Sequence, residues 1–370
     1  MHPGSPFMAQ ALALAAQAVG RSEPNPRVGC VIVSADGQQV LGQGHTQPAG
    51  QAHAEIMALR DAAARGADVR GATAYVTLEP CAHHGRTGPC CDALVAAGIA
   101  RVVASLGDPN PLVAGQGLAR LRAAGIEVET GPGAREAREL NLGFFSRMVR
   151  GLPWVRMKIA ASLDGQTALA NGRSQWITGE AARTDGHAWR ARAGALLTGI
   201  GTVLDDDPRL DVRLAPVGKQ PPLVVVDSRL QTPPTAALFS VPDRPVWIYA
   251  AEGHPQAQAA LEARGAHVTH LPGPGGKVDL AALLKDLAAR GVNELHVEAG
   301  FKLNGSLLRE GLVDEFLVYL APKLLGSGRG MVNIGPLEEL AQGVALEFGP
   351  FERVGEDLRV LARIPGRDAF

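Results

Sequence analysis

Short apolar runs alternate with segments of helical periodicity along the first 150 residues. The apolar runs at 28–33, 39–44, 72–78 and 101–106 predict strands, with a turn at Asp36-Gly37 between the first two. Helical spacing at 9–20, 54–65, 89–97 and 115–124 predicts helices, of which the first three end at or next to a glycine. Strands that alternate with helices in this way indicate a layered α/β domain.

A polar, glycine-rich segment at 130–138 precedes a helix that ends near Gly151, and the apolar pattern then restarts. Because 370 residues exceed what one ordinary core holds, we predict two domains, 1–148 and 149–370. In the second domain we predict helices at 179–193, 255–264 and 278–290 and strands at 154–160, 195–198, 223–226, 246–250, 294–298 and 316–320. Residues 345–364 predict two further strands without a helix.

Composition narrows the class of protein. The hydrophobic fraction of 46% and the charged fraction of 20% are typical of a soluble globular protein. The formal net charge is -1 and no stretch is strongly basic, so we expect no nucleic-acid partner. No run approaches the roughly 18 apolar residues of a transmembrane helix. The apolar run at 8–19 lacks a preceding Lys or Arg and is interrupted by Gln10 and Gln17, so we expect a cytoplasmic protein rather than a secreted one.

The cysteines suggest a metal site. Three of the four cysteines lie within eleven residues, beside histidines, whereas disulfide scaffolds are smaller and richer in cysteine. His53-Ala-Glu55, Pro80-Cys81 and Pro89-Cys90 follow the order of the zinc-deaminase pattern. Catalytic zinc (Zn²⁺) takes three protein ligands and lowers the pKa of a bound water to about 7. We therefore predict His53, Cys81 and Cys90 as ligands and Glu55 as the proton shuttle.

Spacing leaves two questions open at this site. Eight residues, rather than two, separate Cys81 from Cys90, and the intervening segment must loop out and return. Positions two apart do not share a helix face, so His53 and Glu55 can converge only if His53 lies at the very start of the helix. The alternative is a closed structural zinc site, or a reduced cysteine cluster without metal, with a histidine at 83 or 84 as a further ligand.

The adjacent cysteines Cys90 and Cys91 have different predicted roles. Cys91 shares one helix face with Leu94 and Val95, and this apolar stripe should face the core. Cys90 points elsewhere from the helix start, where backbone N–H groups favour a thiolate. Cys30, like Cys91, is predicted to be a small core residue.

Both domains contain segments that recur in one known family. They are PNPRVGCVIV (24–33), His53-Ala-Glu55, TLEPCAHHGRTGPCCDAL (77–94), KIAASLDG (158–165), SQWIT (174–178), TVLDDDP (202–208), VDS (226–228) and VEAG (297–300). Together these segments resemble the deaminase/reductase family of riboflavin biosynthesis. The resemblance covers nearly the whole chain. It implies a cytidine-deaminase-like α/β/α domain followed by a dihydrofolate-reductase-like α/β domain with a mixed central sheet.

The resemblance also implies the chemistry of the first domain. The implied substrate is a phosphorylated pyrimidine, 2,5-diamino-6-(5-phosphoribosylamino)pyrimidin-4-one, whose 2-amino group would leave as ammonia. Implied substrate contacts are Asn25, His45, His83, Arg86, Asp108 and Asn110. Arginine is a natural phosphate ligand, which suits Arg86. A histidine in a merely structural or surface role is the alternative for His45 and His83.

The cofactor of the second domain cannot be predicted from the pattern alone, because a clean G-x-G-x-x-G fingerprint is missing. Gly199-Ile-Gly201 follows a strand, but three aspartates at 205–207 come soon after. A better phosphate candidate is the loop from Gly300 to Ser306, which joins a strand to a helix start; an ordinary strand–helix turn is the alternative reading.

The resemblance supplies what the pattern lacks: reduction of the ribosyl group to ribityl with NADPH, giving 5-amino-6-(5-phosphoribitylamino)uracil. Implied cofactor contacts are Ala160, Trp176, Thr202, Asp206, Ser228, Gly300, Phe301, Lys302, Leu303, Asn304, Gly305 and Ser306. Implied substrate contacts are Ser174, Arg190, Leu210, Arg213 and Glu298. Arg190 and Arg213 suit a substrate phosphate, although solvated surface charge is the usual role of arginine.

A rival interpretation is a nucleobase or tRNA deaminase with a non-catalytic C-terminal binding domain. Near-neutral charge and an aromatic fraction of 4% argue against an RNA-binding surface. A purely structural zinc module is a second rival, and it predicts no ammonia release from the diaminopyrimidine. Homo-oligomerisation is left open by the sequence.

Overall fold

A computed structural model of the chain describes residues 5–83, 88–111 and 114–370. The chain divides into two compact units, Met1–Arg150 and Gly151–Phe370, two residues after the predicted boundary. Each unit is built around its own sheet with helices, so the α/β fold class is confirmed.

The first unit contains a five-stranded mixed sheet in the order β2-β1-β3-β4-β5, in which β1 is antiparallel to both neighbours and β3, β4 and β5 are parallel. Its elements are α1 (Pro6–Ala16), β1 (Gly29–Val33), β2 (Val40–His45), α2 (Ala54–Ala64), β3 (Thr73–Val76), α3 (Cys90–Ala96), β4 (Arg101–Ala104), α4 (Gln116–Ala123), β5 (Glu127–Thr130), α5 (Ala134–Leu140) and α6 (Leu142–Arg150).

Glycines on two adjacent strands let helices approach both faces of this sheet. A Cβ on Gly29 would lie 1.9 Å from the carbonyl oxygen of Ala11 in α1, and a Cβ on Gly42 would lie 2.2 Å from that of Ala58 in α2. Gly29 pairs with His45 on β2, so these two residues face the same side of the sheet. Because side chains alternate along a strand, Gly42, three positions before His45, faces the opposite side. The layers are therefore helix, sheet and helix, and α2 packs directly on the backbone of β2.

The second unit contains a nine-stranded mixed sheet in the order β11-β10-β9-β8-β12-β6-β13-β16-β15. The strands from β11 to β13 in this order run parallel, and β16 and β15 are antiparallel at one edge. The elements are β6 (Trp154–Ser162), β7 (Gln166–Leu169), α7 (Glu180–Ala191), β8 (Ala195–Gly199), α8 (Ile200–Asp206), β9 (Leu223–Val226), β10 (Val246–Ala250), α9 (Pro255–Glu262), β11 (Ala266–His270), α10 (Leu280–Ala289), β12 (Glu294–Val297), α11 (Phe301–Arg309), β13 (Glu315–Ala321), β14 (Gly328–Gly330), β15 (Glu347–Val354) and β16 (Asp357–Arg363).

Several elements differ from the sequence-based prediction. The structure adds strands at 127–130, 166–169, 266–270 and 328–330, and helices at 200–206 and within the segment predicted as a loop at 130–138. Strand β5 escapes periodicity analysis because it lies at a sheet edge, where three of its four residues are exposed. The predicted phosphate loop is also wrong beyond Gly300, because residues 301–306 form the first turns of helix α11.

A charged network lies in the interior of the second unit. The Arg156 guanidinium on β6 contacts Glu294 on β12 at 2.7 Å and Glu315 on β13 at 2.5 Å, and all three side chains are at most 3% exposed. Burial raises the pKa of Glu315, but the charges of Arg156 and Arg363 outweigh it and lower that pKa overall. The three central strands are therefore joined by buried charges as well as by the backbone ladder.

We expect Arg156→Ala to destabilise the chain by about 3–5 kcal/mol, because it leaves two buried carboxylates without their central cation. A lowered carboxylate pKa stabilises the fold above the unfolded pKa of about 4.3, and that stability is lost as the pH falls through the folded value. The stability difference between wild type and variant should thus shrink on acidification. Urea unfolding between pH 3.5 and 7 measures it. Arg229→Ala is the control, because it removes an exposed ion pair in which Arg229 lies 3.5 Å from Glu252, and it should cost under about 1 kcal/mol of stability. Equal losses of stability in the two variants would contradict the prediction.

Candidate functional site

His53 lies at the N-cap of α2, with extended backbone angles of φ -76° and ψ 169°. Glu55 follows in the first turn of the helix and is 4% exposed. Because His53 precedes the helical residues, its side-chain direction is not tied to the helical spacing that separates positions two apart. The His53 imidazole and the Glu55 carboxyl group are therefore close enough for the charge of each to shift the pKa of the other.

The donor atoms of His53, Cys81 and Cys90 all lie within 4.8 Å of one another. The Nδ1 atom of His53 is 3.6 Å from Sγ of Cys81 and 3.3 Å from Sγ of Cys90. Tetrahedral zinc, with bonds of about 2.0 Å to nitrogen and 2.3 Å to sulfur, would separate such atoms by about 3.5 Å. One imidazole and two thiols at these distances fit a zinc ion.

Among the described residues, this donor group has no fourth member, and neither the Glu55 carboxylate nor the His83 ring belongs to it. Three protein ligands with one free position characterise catalytic zinc, whereas structural zinc is enclosed by four. His84, named above as a further ligand of a closed site, lies outside the described residues. The described geometry favours the open site.

The two adjacent cysteines face different surroundings. Helix α3 begins at Cys90, whose backbone N–H donates to Sγ of Cys81 at 3.4 Å. Cys91 is equally buried, but its Sγ contacts the Asp92 carboxylate at 3.8 Å and is not part of the donor group. Cys30 is also fully buried. Cys90 is thus the cysteine of the pair that can reach a metal held by the other two ligands.

Glu55 has the properties of a proton shuttle. Burial raises the pKa of its carboxyl group to about 7, and the negative charge of a Cys81 thiolate nearby contributes in the same direction. A group with such a pKa exchanges protons readily near neutral pH. Glu55 contacts the Cys90 side chain without being a member of the donor group, and this position suits proton transfer next to a bound metal.

Glu79 was not predicted to have a role, yet it organises the segments beside the donor group of His53, Cys81 and Cys90. Its buried carboxylate accepts hydrogen bonds from the backbone N–H groups of Asp108 (3.0 Å), Gly115 (2.9 Å), Gly117 (2.8 Å) and Leu118 (3.2 Å). Glu79, which lies two residues before Cys81 in the sequence, therefore caps the start of α4 and fixes the backbone of Asp108 beyond β4. The signal in the sequence was only a glutamate between an apolar strand and Pro80.

The predicted substrate contacts of this unit gather at one sheet edge. His45 ends β2 and pairs with Gly29, whose carbonyl accepts from the N–H of Thr77 on the strand end that leads to Cys81. Asn25 comes just before β1 at this edge, and its N–H bonds to the Ser22 carbonyl at 2.8 Å.

The remaining predicted contacts follow the ends of β3 and β4. Burial, with help from Glu79 and Cys81, raises the pKa of Asp108 to about 7. The Asp108 carboxylate accepts from the N–H of Asn110 at 2.8 Å. Nδ1 of His83 is buried without a hydrogen-bond partner in the described part of the chain. Arg86 lies outside the described residues.

A cavity of about 1510 Å³ opens in the second unit. This volume exceeds the 300–1,000 Å³ of an ordinary single-ligand pocket and has room for a cofactor together with a substrate. All five predicted substrate contacts line it, as do eleven of the twelve predicted cofactor contacts: Ala160, Trp176, Thr202, Asp206, Ser228, Gly300, Phe301, Lys302, Leu303, Asn304 and Ser306. The exception is Gly305, where a Cβ would lie 2.1 Å from the Asn333 carbonyl oxygen, so that this glycine serves packing.

Two of the predicted substrate contacts are bound to each other. The Arg190 guanidinium forms a two-pronged ion pair with Glu298, in which Nη2 lies 2.8 Å from Oε2, and its Nη1 donates to the Asp211 carbonyl at 2.9 Å. Lys158, which was quoted as part of a motif but not predicted as a contact, places Nζ 3.8 Å from the same carboxylate and lines the cavity.

These cations determine the charge at the cavity wall. Burial raises the pKa of Glu298, but the charges of Arg190 and Lys158 hold it well below its usual range. Burial lowers the pKa of Lys158, against the attraction of Glu298. The cluster could have been suspected from one signal, a lysine in the middle of the apolar strand at 154–162.

Family models match both units. Residues 1–106 match the cytidine and deoxycytidylate deaminase zinc-binding region, and residues 153–360, more than half of the chain, match the RibD C-terminal domain. The chain belongs to the RibD family. The riboflavin biosynthesis protein RibD of Escherichia coli (strain K12) is 46% identical over 365 residues, which cover 95% of this chain and 97% of that protein.

Other RibD proteins agree over the same length. The one from Bacillus amyloliquefaciens is 39% identical over 359 residues, covering 96% of this chain and 95% of its own. The solved structure of Acinetobacter baumannii RibD gives a TM-score of 0.87 at 42% identity, covering 97% of this chain and 98% of that one. A Thermotoga maritima structure, described as a diaminohydroxyphosphoribosylaminopyrimidine deaminase/5-amino-6-(5-phosphoribosylamino)uracil reductase, gives 0.86 at 31% identity with the same coverage.

Membership of the RibD family confirms the main sequence-based predictions. The chain is a bifunctional deaminase and reductase of riboflavin biosynthesis, with zinc in the first domain and NADPH in the second. The full-length match disfavours a nucleobase or tRNA deaminase with a non-catalytic C-terminal domain. In the part of the chain that the structure describes, the helices are too short or too polar to span a bilayer.

Proposed function

We propose that this RibD protein deaminates 2,5-diamino-6-(5-phosphoribosylamino)pyrimidin-4-one and then reduces the ribosyl group of the product to ribityl. In the first reaction water supplies the oxygen that replaces the 2-amino group, which leaves as ammonia. In the second, a hydride and a proton add to the carbonyl group of the opened ribose. The observation that carries the proposal is the three-membered donor group of His53, Cys81 and Cys90 beside the buried Glu55.

The side chains of the first domain have separate tasks. His53, Cys81 and Cys90 would hold zinc, which activates water for attack on the pyrimidine. Glu55 would take a proton from the attacking water and deliver it to the departing amine, since it lies beside the donor group without belonging to it. This division explains why a buried carboxyl group, expensive in an apolar interior, is retained there.

We propose that the sheet edge next to the metal ligands receives the pyrimidine and its phosphate. Asn25, His45, His83, Asp108 and Asn110 lie on segments that end at this edge. Asp108 and Asn110 belong to the segment that Glu79 fixes, which supports a rigid rather than adaptable pocket. Arg86 stays a prediction as a phosphate ligand.

The second domain would hold NADPH along the carboxyl ends of its central parallel strands. When bound, NADPH supplies the hydride, and the protein positions donor and acceptor. The N-terminus of α11, which begins after Gly300, presents N–H groups that suit the pyrophosphate. Ser174, Leu210, Arg213 and the Arg190–Glu298 pair would enclose the substrate at the far side of the cavity.

Arg190→Ala should raise the KM for the phosphorylated substrate by about tenfold, and by more than the KM for NADPH. The reason is that Arg190 keeps N–H groups free after binding Glu298 and Asp211, and it lines the cavity. Steady-state kinetics with each substrate varied in turn measures both constants. Arg190→Lys keeps the charge without the planar fork and should fall between wild type and Arg190→Ala; a larger effect on NADPH would refute the phosphate assignment.

We further propose a cytoplasmic protein without a nucleic-acid partner. Thiol ligands require a compartment that keeps cysteines reduced, and a net charge of -1 offers little attraction to phosphate backbones. Homo-oligomerisation is supported by the edge strand β15, on which Phe348 and Phe351 are 81% and 71% exposed. The molar mass from light scattering, compared between wild type and Phe348→Glu, tests it; a monomeric wild type would contradict it.

One assay tests the two activities separately. The diaminopyrimidine phosphate alone should release ammonia, and addition of NADPH should then start NADPH oxidation at 340 nm. Absence of ammonia would overturn the deaminase proposal. Ammonia without NADPH oxidation would overturn the reductase proposal, and NADPH oxidation that precedes ammonia release would overturn the proposed order.

A further inference from the structure

Two cations that neither reaction uses line the reductase cavity at one end. Arg229 and Lys277 both border it, next to Ser228. Both side chains belong to exposed residues on loops. The only ion pair of Arg229 among the described residues is a 3.5 Å contact with the Glu252 carboxylate, and Lys277 has none there. Exposed cations usually have no specific ligand, so their position along the cavity must decide whether these two do.

Hydrogen bonds bring three loops together at this end. The Ser228 carbonyl, just past β9, accepts from the N–H groups of Ala251 (3.0 Å) and Glu252 (2.9 Å), just past β10. Its hydroxyl accepts from the N–H of Val278 at 3.2 Å. Lys277, which precedes Val278, is therefore held beside the consecutive residues Ser228 and Arg229, although it is far from them in sequence.

The order of strands fixes which part of a dinucleotide reaches these loops. From β6 the sheet continues through β12 and β8 to β9, all parallel, so their carboxyl ends share one edge. Three steps between strands span about 14 Å. Ala160 and Glu298 lie at the β6 and β12 end, where the substrate contacts are, and the nicotinamide must lie there to reach the substrate. The pyrophosphate at α11 then directs the adenosine toward the end of β9.

The chemistry at the end of β9 suits a phosphate rather than a free hydroxyl. NAD-specific sites hold the 2′-hydroxyl of the adenosine ribose with a carboxylate near a strand end, whereas NADP-specific sites use a cation. Asp227, the first residue after β9, is fully buried, and its carboxylate accepts from the N–H and the hydroxyl of Thr232, both at 2.7 Å. It does not line the cavity.

The carboxylates that do line the cavity lie elsewhere along it. Asp205 and Asp206 are at the end of α8, where Arg329 faces Asp205 at 3.5 Å, and Glu298 is at the substrate side. Glu252 shares Arg229 but leaves Lys277 unpaired among the described residues, so the local excess of charge is positive. Outside the substrate contacts, the other cations along the cavity have partners: Arg183 donates to the Thr178 carbonyl, Arg209 pairs with Asp211, Arg329 faces Asp205 and Arg309 donates to the Ser306 hydroxyl. With Lys302 at the pyrophosphate, the neighbouring cations Arg229 and Lys277 are the ones that a doubly charged phosphate can use.

We infer that Arg229 and Lys277 form the subsite for the 2′-phosphate of NADPH and make the reductase prefer NADPH to NADH. The inference rests on the proposed NADPH site and adds which residues determine its specificity. Ser228 would supply a hydroxyl donor between the two cations.

Equilibrium binding to the full chain tests this without catalysis. Isothermal titration calorimetry with NADP⁺ and NAD⁺, and with the fragments 2′,5′-ADP and 5′-AMP, isolates the 2′-phosphate. Arg229→Ala and Lys277→Ala should each weaken NADP⁺ and 2′,5′-ADP by about tenfold and leave NAD⁺ and 5′-AMP unchanged, and the double variant should bind both dinucleotides alike. The preference of the wild type should also weaken at high salt, because the cations are exposed.

Two control variants locate the effect. Lys219→Ala removes an exposed lysine outside the cavity and should change neither affinity. Lys302→Ala should weaken NADP⁺ and NAD⁺ equally, because both carry the pyrophosphate. Equal losses for the two dinucleotides in Arg229→Ala and Lys277→Ala, or an unchanged preference in the double variant, would overturn the subsite alone. A wild type that binds neither dinucleotide would overturn the proposed reductase site as well.

Discussion

Glu55→Gln should reduce ammonia release by a factor of 10² to 10⁴ while the protein keeps its zinc. The amide has nearly the shape of the carboxyl group but cannot carry a proton from water to the amine. The donor atoms of His53, Cys81 and Cys90 form their group without Glu55, so metal binding has no reason to fail. Ammonia assays and metal analysis of the same preparation measure both properties.

Two comparisons make the Glu55 result specific. Glu127→Gln changes a glutamate whose side chain is 71% exposed on β5 and should leave ammonia release intact. NADPH oxidation with the deaminated intermediate should be normal in Glu55→Gln, because the reductase cavity lies wholly within the other unit. If the variant loses zinc along with activity, Glu55 is a ligand and its role as a shuttle is refuted.

Cys90→Ser should lose most of its zinc, whereas Cys91→Ser should bind zinc like the wild type. Both cysteines are fully buried and adjacent on α3, so the two substitutions are matched in size, polarity and location. Only Sγ of Cys90 lies 3.3 Å from Nδ1 of His53 and within the donor group. A serine oxygen is a much poorer zinc ligand than a thiolate.

Zinc content after dialysis, and zinc release measured with a colorimetric chelator, distinguish the two cysteine variants. Ammonia release should follow the zinc content in both. Equal retention would mean that the loss of one thiolate is tolerated, and zinc loss from Cys91→Ser but not from Cys90→Ser would mean that the ligand had been assigned to the wrong residue. A circular dichroism spectrum checks that both variants fold.

The sequence predicted the group formed by His53, Cys81 and Cys90, which the structure brings together, because each of them belongs to a short recognisable motif. His53 and Cys90 stand at the starts of α2 and α3, and Cys81 lies in the loop after β3, where Pro80 precedes it. Two positions two apart do not share a helix face, but His53 has an extended backbone and only Glu55 is helical. The spacing therefore does not prevent the two side chains from converging. Residue type within short motifs therefore carries most of the information for this site.

The reductase cavity could not be predicted in the same way, because its contacts join distant segments. Arg190 and Glu298 are 108 residues apart, and nothing in either segment indicates that they form an ion pair. The segment after Gly300 reads as a loop because it contains Gly305 and Asn304, yet tertiary packing makes it helical. Gly305 is needed for the close approach of the Asn333 backbone, which only the folded chain provides.

Strand β5 and the helix at 134–140 were missed for a different reason. Both lie on exposed surface, so their side chains are largely polar and the alternation that marks a half-buried element is weak. Periodicity reports burial rather than backbone conformation. Elements at the rim of a domain are therefore the ones that it overlooks.

The missing side chain of Gly42 has a consequence for how this enzyme can change. Helix α2 rests on the bare backbone of β2, where even a methyl group would reach within 2.2 Å of the Ala58 carbonyl oxygen. That helix carries His53, a proposed zinc ligand, at its N-cap and Glu55, the proposed proton shuttle, in its first turn. The placement of His53 and Glu55 therefore depends on a glycine outside the donor group, and directed evolution of new deaminase substrates will have to keep Gly42.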